Sequence, residues 1–254
     1  MFFNYFPLIK KLTLREIKAR YKQSFLGFFW IVLNPFFQMV IMSFVFSKIL
    51  KMSDLGVPYP LFIYAGLLPW LFMVNSLQSA MNVFISDSSL IKKIYFPREI
   101  LVLSTLLAKT FDFFLSFFIF ILMMIVFKVP FTFFMLFFFL IFLIEFLFVY
   151  SLSLILSSFN LYYRDVQYLF NLVITLWFYL TPVIYAVEFF PEKYRIIFQL
   201  NPMAVFINAY RQVLLGGNFP KWSSLGIGVL LSLILFFVGK KIFSKLEKNF
   251  ADVV

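Results

Sequence analysis

The sequence predicts an all-α integral membrane protein. It should have six transmembrane helices, an N-terminal amphipathic helix lying in the membrane interface, and short re-entrant or outer helices before the last span. Three observations predict this. Hydrophobic residues make up 63% of the chain and charged residues 13%, with a mean hydropathy of +0.99, whereas soluble domains average about 25% charged and about 45–50% apolar. Apolar stretches long enough to cross a bilayer recur along the chain. Lys and Arg gather in alternate connections between those stretches. The chain reads as one transmembrane domain over 1–254, with no pattern of a cleaved signal peptide.

The segment 12–35, LTLREIKARYKQSFLGFFWIVLNP, organises the rest. Lys11, Arg15, Lys18 and Lys22 follow i, i+4, i+7, i+11 and form a basic stripe on a helix. Leu14, Ile17 and Tyr21 form an apolar face beside it. Such a helix lies on a membrane with its cations among anionic headgroups. From Phe25 the chain turns apolar and becomes a helix that goes through the membrane.

Spans are expected near 25–47, 61–85, 100–127, 131–157, 167–187 and 223–243. One set of connections carries Lys10, Lys11, Arg15, Lys18, Arg20, Lys22, Lys92, Lys93, Arg98, Arg164, Lys240, Lys241, Lys245 and Lys248, and the opposite set carries half as many cations. The positive-inside rule therefore places both termini in the cytoplasm, as an even number of spans requires. The net charge of +11 then reflects basic loops and contact with anionic membrane lipid, not nucleic-acid binding.

After the first span, Asp54, Gly56, Pro58 and Pro60 supply turn chemistry for a short outer loop. The second span carries Asn75, Gln78 and Asn82 at i, i+3, i+7, a polar stripe that faces either a partner helix or a wet path. The loop 86–99, SDSSLIKKIYFPRE, offers N-caps at 86–89, a short amphipathic helix over 90–95, and Pro97 for the first turn of the next helix. It is either a docking element for a cytoplasmic protein or an ordinary basic loop.

The third span holds Lys109 and Asp112 at i, i+3, spaced to pair with each other. The fourth holds Glu145, an intramembrane acid that marks either a functional site or a pair with a neighbouring helix. It ends in SLSLILSS, whose small residues suit close packing. Arg164 and Asp165 are expected to anchor loops by charge-assisted hydrogen bonds. Pro182 breaks the fifth span near its outer end. Pro191, Pro202, Gly216, Gly217 and Pro220 then divide 186–220 into two short helices, 192–200 and 203–215. These cap the fold or act as an external lid.

The chain contains neither Cys nor His, which removes disulfides, thiolate sites and the commonest general base. No phosphate-binding loop or dinucleotide fingerprint occurs, so no catalytic site, cofactor or metal is expected. Energy for transport must come from a partner subunit or an ion gradient. Trp30, Trp70, Trp177, Tyr179 and Tyr185 lie in or beside spans. They serve either as interfacial anchors or as faces on which sugar rings slide.

The motifs REIKARYKQSFLGFFWIVLNP at 15–35, LIKKIYFPREIL at 90–101, NLYYRD at 160–165, TPVIY at 181–185 and Asn201-Pro202 followed by Arg211 carry a resemblance. Along essentially its whole length the sequence resembles the transmembrane subunit of type-two ABC exporters for cell-surface polysaccharide, the O-antigen and capsule permeases. A second proline common in that family soon after the Phe-Pro-Arg is replaced here by Leu101-Val102-Leu103-Ser104.

The resemblance implies a homodimer paired with two copies of a cytoplasmic ATP-binding subunit. It implies that the N-terminal helix, with Arg15, Arg20 and Tyr21, is the interface helix. It likewise makes the 86–99 loop, with Lys92, Lys93, Tyr95, Phe96, Pro97 and Arg98, the coupling element. The expected function is ATP-driven export of lipid-linked polysaccharide across the bacterial inner membrane, along a channel lined by Trp30, Trp70, Trp177, Tyr179 and Tyr185. The alternatives are an exporter of teichoic acid, a small lipid or a drug, and a carrier driven by an ion gradient.

Overall fold

The computed structural model describes residues 5–21, 27, 29–49, 56–94 and 96–253, and among these every regular element is helical. In chain order the α-helices are α1 (Phe6–Tyr21), α2 (Phe29–Ser43), α3 (Tyr59–Ser86), α4 (Ser88–Lys93), α5 (Glu99–Val126), α6 (Phe137–Tyr162), α7 (Asp165–Leu180), α8 (Glu192–Leu200), α9 (Pro202–Leu214), α10 (Trp222–Leu246) and α11 (Phe250–Val253). A π-helical stretch, Phe44–Ile49, prolongs α2.

Among the described residues, five helices are long and apolar enough to cross a membrane: Phe29–Ser47, Tyr59–Ser86, Glu99–Val126, Phe133–Tyr162 and Trp222–Asn249. The stretch expected to cross at 167–187 is the 16-residue α7, about 24 Å long at the helical rise and shorter than the hydrocarbon core. It stops at Leu180 because Pro182 lacks the amide that another turn would need, and Thr181 is already extended.

Helix α3 is the centre of the bundle. It is apolar nearly all round, and 78% of its most apolar window is buried, against 17% for the α2 span. It packs against α5, α6, α2 and α9. The tightest seam lies between α6 and α10. Ser151, Ser153 and Ser158 turn their hydroxyls back to carbonyls four residues earlier, at 2.6–2.7 Å. With the Ser151 hydroxyl folded back onto its own helix, α10 brings Gly239 against the Ser151 turn and the Ile155 side chain. A Cβ on Gly239 would stand 2.9 Å from the Ser151 carbonyl oxygen.

Helix α7 is poorly covered. Phe170 and Ile174 are its only buried residues, and Gln167, Asn171 and Thr175 stand exposed at i, i+4, i+8. The ends of the bundle differ. Helices α1 and α4 and the segment after α10 share one end with most of the cations. Helices α8 and α9 fill the other.

Candidate functional site

At the basic end, α1 lies along the start of α5. Its buried face is Ile9 and Leu12, with Leu8 partly covered, and it is turned to α5. On the other side Leu14 is exposed and Ile17 half-buried, open to the membrane interface that the apolar face is expected to meet. The side chains of Arg20 and Tyr21 lie outside the described set. Lys11, Arg15 and Lys18 stand on the exposed face, as the stripe predicts.

Arg15 reaches the α3–α4 junction, where Nη2 donates to Asp87 Oδ2 at 2.5 Å and lies 3.4 Å from Glu16 Oε1. Burial works against the charged guanidinium, but Asp87 and Glu16 outweigh it, so its pKa is raised. Asp87 occupies the N-cap position of α4 without capping it, its carboxylate being spent on Arg15. Ser86 Oγ donates to the Val83 carbonyl.

The six residues expected to form the coupling element separate by position. Lys92 and Lys93 are exposed on α4, as is Ile94 beside them. Phe96 is buried, Pro97 is half-buried, and Tyr95 lies outside the described residues. Arg98 faces inward to the segment after α10. Its amide donates to Glu247 Oε1 at 3.0 Å, and Nη1 donates to the Glu247 carbonyl at 2.6 Å. Next to it, Glu99 Oε2 lies 3.3 Å from Lys240 Nζ.

The same segment is held by Phe250, fully buried with its ring 4.9 Å from Phe84 and 5.5 Å from Phe243. Tyr162 also donates to the Leu246 carbonyl at 3.0 Å. The helix α4 thus presents two cations and one apolar side chain outward while braced from behind on two sides. Arg164 and Asp165, expected to anchor loops, are exposed and make no such bonds among the described residues. Asn160 does that work, donating to the Met81 carbonyl at 2.8 Å.

At the opposite end, Asn201 caps α9 by accepting from the amides of Met203 and Ala204. It also accepts from Trp177 Nε1 at 3.0 Å and donates to Thr181 Oγ1 at 2.9 Å. Arg211, near the other end of α9, is buried. Its guanidinium donates to the carbonyls of Pro182 and Val183, each at 2.6 Å, and to that of Phe62 at 3.2 and 3.3 Å. It also lies 3.5 Å from the Phe62 ring centroid. One side chain thereby fastens the non-helical turn after α7 to α3. Gly66 makes room for it, since a Cβ there would stand 2.7 Å from Arg211 Nη2.

Tyr210, one residue earlier, donates to Glu145 Oε2 at 2.7 Å, and both are fully buried. The intramembrane acid therefore has a partner on a neighbouring helix. Lys109 and Asp112 also pair, at 3.9 Å.

The five expected channel aromatics divide. Trp30 and Tyr179 are exposed, the latter extensively. Trp70 is buried, with its ring 6.0 Å from Trp177 and 5.4 Å from Phe178, so Trp70 and Trp177 join α3 to α7. Tyr185 is half-buried and donates to the Tyr179 carbonyl at 2.8 Å.

Trp30 lines a groove of about 260 Å³ between α2, α3 and α5, together with Asn34, Gln38, Asn75, Lys109 and Asp112. The sequence pattern singled out Asn75 and the Lys109/Asp112 pair. Asn34 and Gln38 escaped it, although two amides at i, i+4 in an apolar span are a readable signal. Asp87, Glu247 and Tyr210 carry no such signal, because their partners are remote in sequence.

A family model described as "ABC-2 type transporter" matches residues 7–215. The O-antigen export system permease protein RfbA of Klebsiella pneumoniae is 31% identical over 251 residues, 98% of this chain and 95% of that protein. The protein of the same name from Myxococcus xanthus is 28% identical over 255 residues, 99% of this chain and 97% of its own. With apolar helices long enough to cross a membrane several times, this chain is a multi-pass membrane protein and belongs to the ABC-2 type transporter family.

Proposed function

We propose that the chain is the membrane-spanning subunit of an ATP-driven exporter. It moves lipid-linked, O-antigen-like polysaccharide across the bacterial inner membrane, with both termini in the cytoplasm. Two copies stand side by side and engage two copies of a cytoplasmic ATP-binding subunit. The observation that carries the reading is the exposed face of α4. Lys92, Lys93 and Ile94 point outward from a loop fixed by Arg15–Asp87 and Arg98–Glu247, as a surface that receives a push must be. The full-length likeness to permeases named for O-antigen export supports the substrate class.

In this reading, closure of the ATP-binding subunits pushes Lys92, Lys93 and the residues Tyr95, Phe96 and Pro97 that follow them. Arg98 passes the movement into the segment after α10, and Arg15 keeps α1 in step. Arg20 and Tyr21 serve to stabilise the dock or to bind the lipid pyrophosphate. The two copies part along α2 and α7, where Trp30 and Tyr179 meet the passing sugars.

The test supplies this chain and its ATP-binding partner, intact or disabled, to a bacterium lacking its own permease but making the lipid-linked polymer. Surface polymer only with the intact partner is expected. Polymer trapped inside despite a stable complex points to a teichoic acid, small lipid or drug as cargo. Surface polymer without ATP hydrolysis removes the ATP-coupled mechanism in favour of an ion gradient.

A further inference from the structure

We propose that the groove between α2, α3 and α5 is a saccharide-binding subsite. Its amides hold hydroxyl groups of the passing chain, and the Trp30 ring lies against a sugar face. The inference rests on the export reading above and names where the polymer is gripped. Three features carry it.

The first is chemistry. Asn34, Gln38 and Asn75 each offer both a donor and an acceptor without charge, which matches a hydroxyl group. Gln38 Nε2 donates to Asn34 Oδ1 at 2.8 Å, which fixes both amides and leaves the Asn34 amide protons and the Gln38 carbonyl oxygen for a ligand. Trp30, 52% exposed, adds a flat apolar face at the mouth.

The second is place. These amides sit within spans, where hydrocarbon leaves a polar group unsatisfied at a cost of several kcal/mol. Among the described residues Asn75 stands exposed, and Gln78 continues the exposed stripe one turn toward the basic end. The Lys109–Asp112 pair adds charge to the lining. A path that carries water and hydroxyls meets this demand, whereas lipid does not.

The third is size. At about 260 Å³ the groove falls just below the range of about 300–1,000 Å³ typical for drug-sized ligands. That suits one sugar unit of a longer chain gripped in passing.

The test measures surface polymer and polymer trapped on its lipid carrier for Asn75→Leu combined with Gln38→Leu. Co-purification with the ATP-binding subunit checks assembly. The expected result is a loss of surface polymer of about thirtyfold, two hydrogen bonds' worth at about fivefold each, with trapped polymer accumulating, and rescue by Asn75→Gln with Gln38→Asn. Because the chain has no Cys, single Asn75→Cys and Gln78→Cys variants also report access. A charged, water-soluble maleimide should label both, and accumulated polymer should protect them.

Leucine variants that export normally overturn the subsite and leave the export reading standing. Cysteines that stay unlabelled and cross-link to the second copy also overturn it, making this face an interface between copies. A natural chain that exports no polysaccharide overturns both.

Discussion

Replacing Arg211 with Ala should loosen the end of the molecule opposite the basic one, and the size of the effect follows from its bonds. The guanidinium makes two contacts at 2.6 Å, to Pro182 and Val183, and two longer ones to Phe62. A contact to Tyr185 at 3.5 Å adds little. Hydrogen bonds from a charged donor contribute about 1.5–3 kcal/mol each, and a buried carbonyl left bare costs about 1–3 kcal/mol. The desolvation of the arginine itself offsets part of this. The net loss expected for Arg211→Ala is about 3–5 kcal/mol, the range for breaking a buried charged network.

Arg211→Lys should recover less than half, since one ammonium cannot face carbonyls on both α3 and the 182–183 turn. Gly66→Ala should reproduce part of the defect by displacing Nη2. Unfolding by sodium dodecyl sulfate in mixed micelles measures the energies, and limited proteolysis across 181–191 locates the loosening. An Arg211→Ala protein within 1 kcal/mol of the natural chain, or a Gly66→Ala protein with full stability and full protection, would refute the reasoning.

Other outcomes follow from the same geometry. Asp87→Asn should cost about 1 kcal/mol or less, because Arg15 is substantially exposed. The same change should lower polymer exported per ATP hydrolysed, measured with the reconstituted complex. Gly239→Ala should destabilise by about 1–3 kcal/mol through its approach to Ser151, whereas Gly226→Ala, with nothing within 4 Å, should gain about 0.5–1 kcal/mol; detergent unfolding distinguishes their signs. Tyr210→Phe should cost about 1.5–3 kcal/mol by stranding Glu145, and joining it with Glu145→Leu should restore most of that. ATP-dependent export that survives Glu145→Gln would separate this acid from any proton-carrying role.

The sequence made some of this legible, and physics explains where it stopped. The limits of α8 and α9 are readable because Pro191 and Pro202 mark helix starts. The serines of α6 announce a close seam because small residues leave few other uses in a span. The buried face of α1 was not readable. Ile9 with Leu12 and Leu14 with Ile17 are both apolar sets, lipid accepts either, and only α5 decides between them. The apolar 181–187 stretch extends the pattern of α7, although Pro182 stops the helix itself. Arg211 was seen only as part of a motif because its acceptors are main-chain carbonyls, which every residue has. The brace on α4 was hidden for a related reason: Arg98 and Glu247 are each ordinary surface residues until folding brings them together.

That brace also sets a timetable for biosynthesis. The two residues that close it are separated by 149 positions, and Phe250 must be seated behind Phe84 and Phe243 before the closure holds. While a ribosome is still threading α5 to α10 into the membrane, the loop at 86–99 has already emerged without its support. Contacts so distant in sequence form late. A nascent chain therefore displays the cations of α4 on an unsupported loop, and the surface stiffens only once the last helix is in place. If α4 is the seat of the ATP-binding subunit, as proposed above, only a chain whose last helix is in place offers that seat in its braced form.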